Sequence, residues 1–496
     1  MEKLTKEEFF DVHARMGLAL TYDDVRIETR SGQNARLGEI DISSKFSENI
    51  GVKTPIVSAG MDTVTESDTA IEMGKNGSFG VMHPAMSIER QYEEVRRVKK
   101  ASHNLIDTPI SVSAKDTLED VLKMCDRRRF DFRSFPVEDA DKKMIGLLTS
   151  DDFDFPEDLS TPVEEAMTPI EDIVTAATGT SLSDAYELMK STRITTLPLR
   201  GDNGEVGGLY LWSDVKRNIR EADLYNVDEN GQLITAVAIT TGQDTLERIS
   251  HLEKYVDVWV LDSADGDSYY MFETLKAIKK NFPNVEVVAG NVSDGASALE
   301  LAQAGANGVK VGQGPGSICS TRIETGIGMP QVTAIYNCVM ALKASGFSHI
   351  PLSADGGLRN HGDFPVAIAA GAHTTMVGKM LAGTKEAPTP IIVRKDGSRV
   401  KLYRGMGSIS ALNDNESSRE RYAANKGSQI LAEGVESYVP YSGDLKDVLG
   451  LCILGLKKGM RYAKNQTIEE HREKATFIRI TGSGLRESHP HDVELI

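Results

Sequence analysis

Eight short runs of apolar, largely β-branched residues punctuate the chain. They are Pro55–Ser58 (PIVS), Ser78–Met82 (SFGVM), Leu233–Ala238 (LITAVA), Asp257–Asp262 (DVWVLD), Glu286–Ala289 (EVVA), Gly308–Val311 (GVKV), Ile350–Ser353 (IPLS) and Thr374–Val377 (TTMV). Each ends in small or polar residues, and a segment of helical character follows. Most neighbours lie about 25 residues apart, the length of one strand-plus-helix unit. Eight such units predict an α/β fold, a (β/α)8 TIM barrel of parallel strands ringed by helices.

Two stretches break the rhythm. The larger, residues 105–221, separates the second strand from the third and repeats itself. TLEDVLKMCDRRRFDFRSFPVEDADKKMIGLLTSDD, from Thr117, parallels SLSDAYELMKSTRITTLPLRGDNGEVGGLYLWSD, from Ser181. Each copy reads as a helix, a strand ending in proline, a turn, a second strand and a closing Ser-Asp. Paired copies of this kind pack as one unit. The expected organisation is a barrel in two pieces, 1–104 and 222–496, with a separate domain at 105–221. The second stretch, about 400–443, is rich in Gly, Ser and charge and follows the last strand. A long polar loop at the C-terminal face of a barrel reads as a lid over an active site.

Composition narrows the partners. A formal net charge of −17 disfavours general nucleic-acid binding, which needs a positive field. A small anionic ligand remains compatible, because backbone amides hold phosphate without net positive charge. The four cysteines, Cys125, Cys319, Cys338 and Cys452, are widely spaced and form no C-x-x-C pair, so neither a disulfide framework nor a zinc site is indicated. The N-terminal segment MEKLTKEEFFDVHARM is too charged for a signal peptide, and no apolar run is long enough to span a membrane. A cytoplasmic protein is expected.

Barrel chemistry sits just past the strand ends. The loops after the seventh and eighth strands (ADGG from Ala354, GKMLAG from Gly378) often form a phosphate site in such barrels. Gly356, Gly357 and Gly378 would let backbone amides approach phosphate oxygens, and Asp355 could accept from ribose hydroxyls. The other possibility is that these glycines only make tight turns. The sixth loop, GQGPGSICSTR, surrounds Cys319 with glycines. A free cysteine is most often a small buried hydrophobe, and Cys125, Cys338 and Cys452 lie in helical apolar contexts that suit that description. Cys319 lies in a polar loop past a strand end, where a reactive thiol belongs.

At this point a resemblance becomes specific. GPGSICSTRIETGIGMPQVTAI resembles the cysteine loop of the family of IMP dehydrogenases and GMP reductases. LTYDDV at Leu20, PIVSAGMDTVTE at Pro55, VVAGN at Val287, SADGG at Ser353, MLAGT at Met380, YRGMGS at Tyr403 and ITGSGLRESHPHDV at Ile480 are similar to further family segments, in the same order. The inserted repeats resemble tandem CBS (Bateman) modules, which in many proteins bind adenine or guanine nucleotides. The lesser alternative is an appendage that holds no ligand. Within the family, Arg421–Tyr422, between YRGMGS and AEGVES, resembles the flap pair of the dehydrogenase branch. That branch oxidises inosine 5′-monophosphate (IMP) to xanthosine 5′-monophosphate (XMP) with NAD⁺. An NADPH-dependent GMP reductase, or a catalytically silent nucleotide sensor working through the insert, are the alternatives.

The resemblance implies roles. Cys319 would be the nucleophile, with Thr321, Arg421 and Tyr422 activating water. Ser58, Met61, Ser317, Asp355, Gly356, Gly357, Gly378, Lys379, Tyr403, Gly405, Met406, Gly407 and Glu433 would bind IMP. Asp262, Ser263, Asn291, Gly312 and Gly314 would line the nicotinamide side. A monovalent cation, K⁺, would sit on carbonyls of Gly314, Gly316 and Cys319, with Glu487, Ser488 and His489 from a neighbouring subunit. That implies a homotetramer, or an octamer through pairing of the inserts. Three positions depart from the common pattern: Gly60, Ala264 and Lys379.

Overall fold

The computed structural model describes the chain except residues 1–3, 34, 102–104, 107–108, 129–132, 155–157, 423–429 and 495–496. It divides into two compact units, Met1–Lys99 with Leu224–Ile496, and Lys100–Asp223.

The larger unit is built on eight strands: β1 (Ile56–Ser58), β2 (Val81–Met82), β3 (Ala236–Ile239), β4 (Val258–Asp262), β5 (Glu286–Val292), β6 (Gly308–Val311), β7 (Leu352–Asp355) and β8 (Thr374–Val377). Every pairing is parallel, in the order β1-β8-β7-β6-β5-β4-β3-β2. A further parallel bridge between Ser58 and Gly80 joins the two ends of that order, so the sheet closes into a barrel. All eight runs singled out by their apolar character are barrel strands. Their limits shift by a few residues. The seventh begins at Leu352, because Ile350 and Pro351 lead into it, and it extends to Asp355. The third begins at Ala236, because Leu233 bridges back to Val227.

The barrel lumen is filled by small and branched side chains, among them Val57, Val81, Ala236, Ala238, Val258, Val260, Val288 and Met376, with Phe46 and Phe79 packed into the same cluster. Burying each Val, Met or Phe contributes about 1.5–3 kcal/mol, which holds the strand ends in fixed relation. Helices follow the strands in turn: Ser67–Lys75, Ile88–Lys100, Thr245–Leu252, Tyr269–Asn281, Gly295–Gln303, Gln331–Ala344 and Asp363–Ala370. Two of these helices start at side chains that accept from otherwise unpaired amides. Ser268 caps Tyr269–Asn281 through the Met271 amide, and Asp294 caps Gly295–Gln303 through the Ala296 and Ser297 amides.

The stretch after β8 is more ordered than a polar loop. Strands Ile392–Val393, Arg399–Arg404 and Glu436–Pro440 form an antiparallel sheet, and two short helices, Ile409–Asp414 and Glu416–Arg421, lie between the last two. The charge-rich sequence hid a hairpin whose pairing joins residues far apart in the chain. The part of the expected lid at 423–429 lies outside the described residues.

The smaller unit shows one arrangement twice. A short strand (Val112–Ser113, Ala176–Ala177) pairs in parallel with the first arm of an antiparallel hairpin (Phe135–Glu138 with Met144–Leu148, Thr196–Arg200 with Val206–Leu211). In each copy a helix, Leu118–Arg128 or Leu182–Thr192, contributes to the hydrophobic core. Among the described residues no helix is long and apolar enough to cross a membrane.

Candidate active site

The C-terminal ends of the barrel strands open into a cleft. Cys319 lines it from the loop after β6. That loop is fixed through its backbone groups. Gly312 adopts φ +149°, and a side chain there would strike the Asp355 carbonyl, so the turn leaving β6 accepts only glycine. Arg322 donates from Nε to the Gln313 carbonyl at 2.9 Å and also to the Met329 carbonyl, clamping both flanks of the loop. Residues 433–435 run beside it: Ser320 N–H donates to the Glu433 carbonyl and Val435 N–H to the Ile318 carbonyl, both at 2.9 Å.

The Cys319 Sγ lies 3.1 Å from Thr321 Oγ1. Cys319 is half-buried, whereas Cys125, Cys338 and Cys452 are buried in helices. Burial pushes all three of those thiols upward, Cys452 to about 12, which keeps them protonated and unreactive.

One wall of the cleft carries Asp355, Gly356, Gly378 and Tyr403. Gly356 and Gly357 have φ of +85° and +82°, and a side chain at Gly378 would lie 2.8 Å from the Tyr403 hydroxyl. Burial raises the Tyr403 phenol, opposed by a hydrogen bond with Ser317, so it stays a neutral donor. Met61, Gly405, Met406 and Glu433 also line the cleft. Gly407 backs it, its missing side chain giving room to the Tyr422 ring. Ser58 is fully buried with its hydroxyl 2.7 Å from that of Thr65, Gly357 sits against Pro315 and Tyr22, and Lys379 is exposed at the start of the helix Lys379–Ala382.

The adjoining part of the cleft carries the ends of β4, β5 and β6. Asp262, Asn291, Gly312 and Gly314 line the cleft. Arg421, from the segment after β8, forms an ion pair with Asp262, and its carbonyl accepts from the Ala264 amide at 3.0 Å and the Ser263 hydroxyl at 3.4 Å. Ala264 therefore serves through its backbone. Its side chain is not used in that contact. Tyr422 also lines the cleft, its phenol raised by burial, which Arg421 opposes. All four residues expected to act in catalysis thus share one cleft.

Several residues in or near this site were not singled out from sequence. Lys310, in β6, is 2% exposed and meets Asp262, Asn291 and Asp355. A lysine inside a run that reads as fully buried was the available signal. Glu420 accepts from the Thr240 hydroxyl and fits because residue 242 is glycine. Arg404 pairs with Asp62 and Asp414. These contacts join distant segments and have no local signature.

The expected cation ligands divide into two places. Gly314, Gly316 and Cys319 line the cleft. Glu487, Ser488 and His489 are exposed at the end of the helix Gly482–Glu487. Among the described residues, the carbonyls of Gly314 and Cys319 accept no hydrogen bond, and that of Gly316 accepts one, from the Cys319 amide at 3.1 Å. Carbonyls in that condition suit a monovalent cation.

Known proteins resemble this chain over nearly its whole length. Residues 19–491 match the profile described as IMP dehydrogenase / GMP reductase domain. The inosine-5′-monophosphate dehydrogenase of Aquifex aeolicus is 41% identical over 98% of both chains. That of Halalkalibacterium halodurans is 39% identical over 96% of both. Among solved structures, a cysteine-to-alanine variant of GMP reductase from Trypanosoma brucei, in complex with guanosine 5′-monophosphate, superposes with a TM-score of 0.82 at 34% identity, covering 98% of this chain and 100% of that one. The same reductase in complex with guanosine 5′-triphosphate gives 0.73 at 30%, covering 95% and 100%.

Proposed function

Because the chain belongs to the IMP dehydrogenase/GMP reductase family, we propose that it oxidises IMP to XMP with NAD⁺, using Cys319 as the nucleophile. It is an NAD-dependent oxidoreductase. The observation that carries the reading is the meeting, in one cleft, of Cys319 and Thr321 with Arg421 and Tyr422.

C2 of the hypoxanthine ring cannot release hydride while it is trigonal. The Cys319 thiolate adds to C2, which makes that carbon tetrahedral. Hydride then leaves C2, and a thioimidate to Cys319 remains. NAD⁺, when bound, supplies the hydride acceptor. Water attacks the thioimidate carbon, the C–S bond breaks, and XMP leaves with the thiol restored and one proton released. Splitting one difficult step into two is the benefit of covalent catalysis.

The chain's own groups divide this work. Ser317, Asp355, Gly356, Gly357, Gly378 and Tyr403 form the ribose and phosphate side, and Met406, Gly407 and Glu433 the base side. A carboxylate at Glu433 can accept the ring N1–H. Asp262, Ser263, Asn291, Gly312 and Gly314 form the nicotinamide side. Thr321, its hydroxyl 3.1 Å from the sulfur, helps in the water step. Arg421 and Tyr422 serve the water step. An arginine gives up a proton reluctantly, so its contribution is positioning and charge stabilisation in a closed, drier cleft. K⁺ would rest on the carbonyls of Gly314, Gly316 and Cys319 and steady the loop, with Glu487, Ser488 and His489 of a neighbouring copy completing its shell in a homotetramer. The unit Lys100–Asp223 would be a tandem CBS pair that binds an adenine or guanine nucleotide, and through which an octamer would form. A cytoplasmic location fits these substrates.

Arg421 and Tyr422 also favour IMP oxidation over GMP reduction, since only the former must hydrolyse its covalent intermediate. The test is absorbance of NADH after mixing the protein with IMP, NAD⁺ and K⁺, beside Cys319→Ala. Steady NADH formation that vanishes in the variant is expected. NADPH consumption with GMP, and no NADH from IMP, would overturn the reading in favour of the reductase.

A further inference from the structure

Lys310 projects from β6 into the barrel, and its ammonium meets three different strand ends. It donates to Asp262 Oδ1 at 2.7 Å (β4), to Asp355 Oδ2 at 2.8 Å (β7), and to Asn291 Oδ1 (β5). An ammonium has three protons, and all three are used. Asn291 Nδ2 also donates to Asp355 Oδ2 at 2.9 Å, which closes a ring of contacts. Asp262 divides its two oxygens: Oδ1 faces Lys310 and Oδ2 faces Arg421.

The charges make this arrangement consequential. Two carboxylates share one lysine in a buried place, which leaves one negative charge uncompensated. The Arg421 guanidinium supplies the missing positive charge through Asp262. Asp355 stands on the ribose side and Asp262 on the nicotinamide and flap side, so the lysine joins groups that would touch different molecules. In a low-dielectric interior such pairs act over several ångströms with little screening.

We infer that Lys310 is a positioning residue that couples the two halves of the cleft: it holds Asp355 for IMP and Asp262 for the nicotinamide side and Arg421 through one buried ammonium. This rests on the functional reading above. Lys310 acts through those carboxylates. A residue that merely filled the lumen would alter the folded fraction and leave substrate affinity alone.

The experiment uses the full-length chain with three substitutions. Lys310→Gln removes the charge, Lys310→Arg restores it, and Asp262→Asn breaks the cluster on the side away from Asp355. Two constants are read for each: KM for NAD⁺, and the IMP dissociation constant from protection of Cys319 against alkylation, which needs no turnover. Coupling requires Lys310→Gln to weaken both constants about tenfold or more, with Lys310→Arg recovering most of each. It also requires Asp262→Asn to weaken IMP binding, although Asp262 faces the other molecule. If Lys310→Gln fails to fold, Asp262→Asn alone decides. A lysine variant that loses kcat or soluble yield with both constants intact would overturn the inference, and so would unchanged IMP binding in Asp262→Asn. A wild-type chain that forms no NADH from IMP would defeat the functional reading separately, and the alkylation measurement would still report the coupling.

Discussion

The cysteine loop and the helix carrying Arg421 both line one cleft and are held largely by different means. The loop is fixed through its backbone groups. Gly312 sets its departure from β6, Arg322 grips two of its carbonyls, and residues 433–435 pair along it. The helix Glu416–Arg421 is held largely by ionic and polar side chains: Arg421 on Asp262, Glu420 on the Thr240 hydroxyl, and Asn415 on Asp62. Backbone pairing fixes a nucleophile in place. The Arg421–Asp262 pair is largely buried, so parting it leaves a charge without its partner and costs energy. A few side-chain contacts can still be broken and remade, as the proposed departure of this segment during hydride transfer and its return for hydrolysis require. The two attachments match the two halves of the chemistry.

Substitutions can break that comparison at several strengths. Cys319→Ala should have the largest effect, a fall of at least about 10³-fold in NADH formation, because no covalent intermediate forms. Alkylation of the intact protein should reach Cys319 before the three buried thiols, and IMP should block it, as peptide mapping would show. Arg421→Ala should lower the steady rate about 10²–10³-fold while leaving a first-turnover burst of NADH, seen by rapid mixing. Loss of the burst as well would mean that the arginine serves hydride transfer too, and the division of labour would fail. Gly312→Ala forces a side chain against the Asp355 carbonyl at a φ that L-residues avoid, with a strain of about 1–3 kcal/mol. It should lower the melting temperature and slow alkylation of Cys319 together.

The smallest expected effect concerns pH. Burial raises the Glu420 carboxyl above its ordinary value of 4.5, assisted by Asp244 and Glu416 and opposed by Thr240 and Arg248. A docked segment therefore binds its proton more tightly than a released one. Docking is favoured fully below the ordinary value, and that advantage is lost as pH rises through the raised one. Glu420→Gln keeps the hydrogen bond from Thr240 without the charge, so it should flatten this part of the pH profile and change the neutral-pH rate by less than about tenfold. An unaltered profile would remove Glu420 from the account of docking.

The barrel was legible because its signal is local. Each strand is a short apolar run, and the eight repeat at regular spacing. Cys319 was legible for a related reason, being the one thiol in a glycine-rich loop past a strand end. The hairpin of Arg399–Arg404 with Glu436–Pro440 was not, because its pairing joins segments separated by polar residues that read as loop. The Arg404–Asp62 and Glu420–Thr240 contacts also depend on closure of the whole barrel. Lys310 was half visible. The sequence GVKV marks an anomalous charge in a buried strand, but its partners come from strands that meet it only after folding.

The chain leaves the barrel after the helix that follows β2 and returns just before β3. Lys99, near the end of the helix after β2, places its ammonium 2.7 Å from both Asp228 and Asp257, which belong to the approach to β3 and the start of β4. The barrel thus fastens its own seam at the point where the chain departs and returns. Closing a loop costs entropy that grows only with the logarithm of its length, about 0.6 kcal/mol for each doubling. With the seam already held by ion pairs and by the β2–β3 pairing of Ala236 with Val81, the fold is nearly indifferent to how much chain intervenes. A version with residues 101–222 replaced by a short glycine-serine link should therefore keep the melting behaviour of the barrel, and the splice point is one that evolution or an engineer can load with other domains.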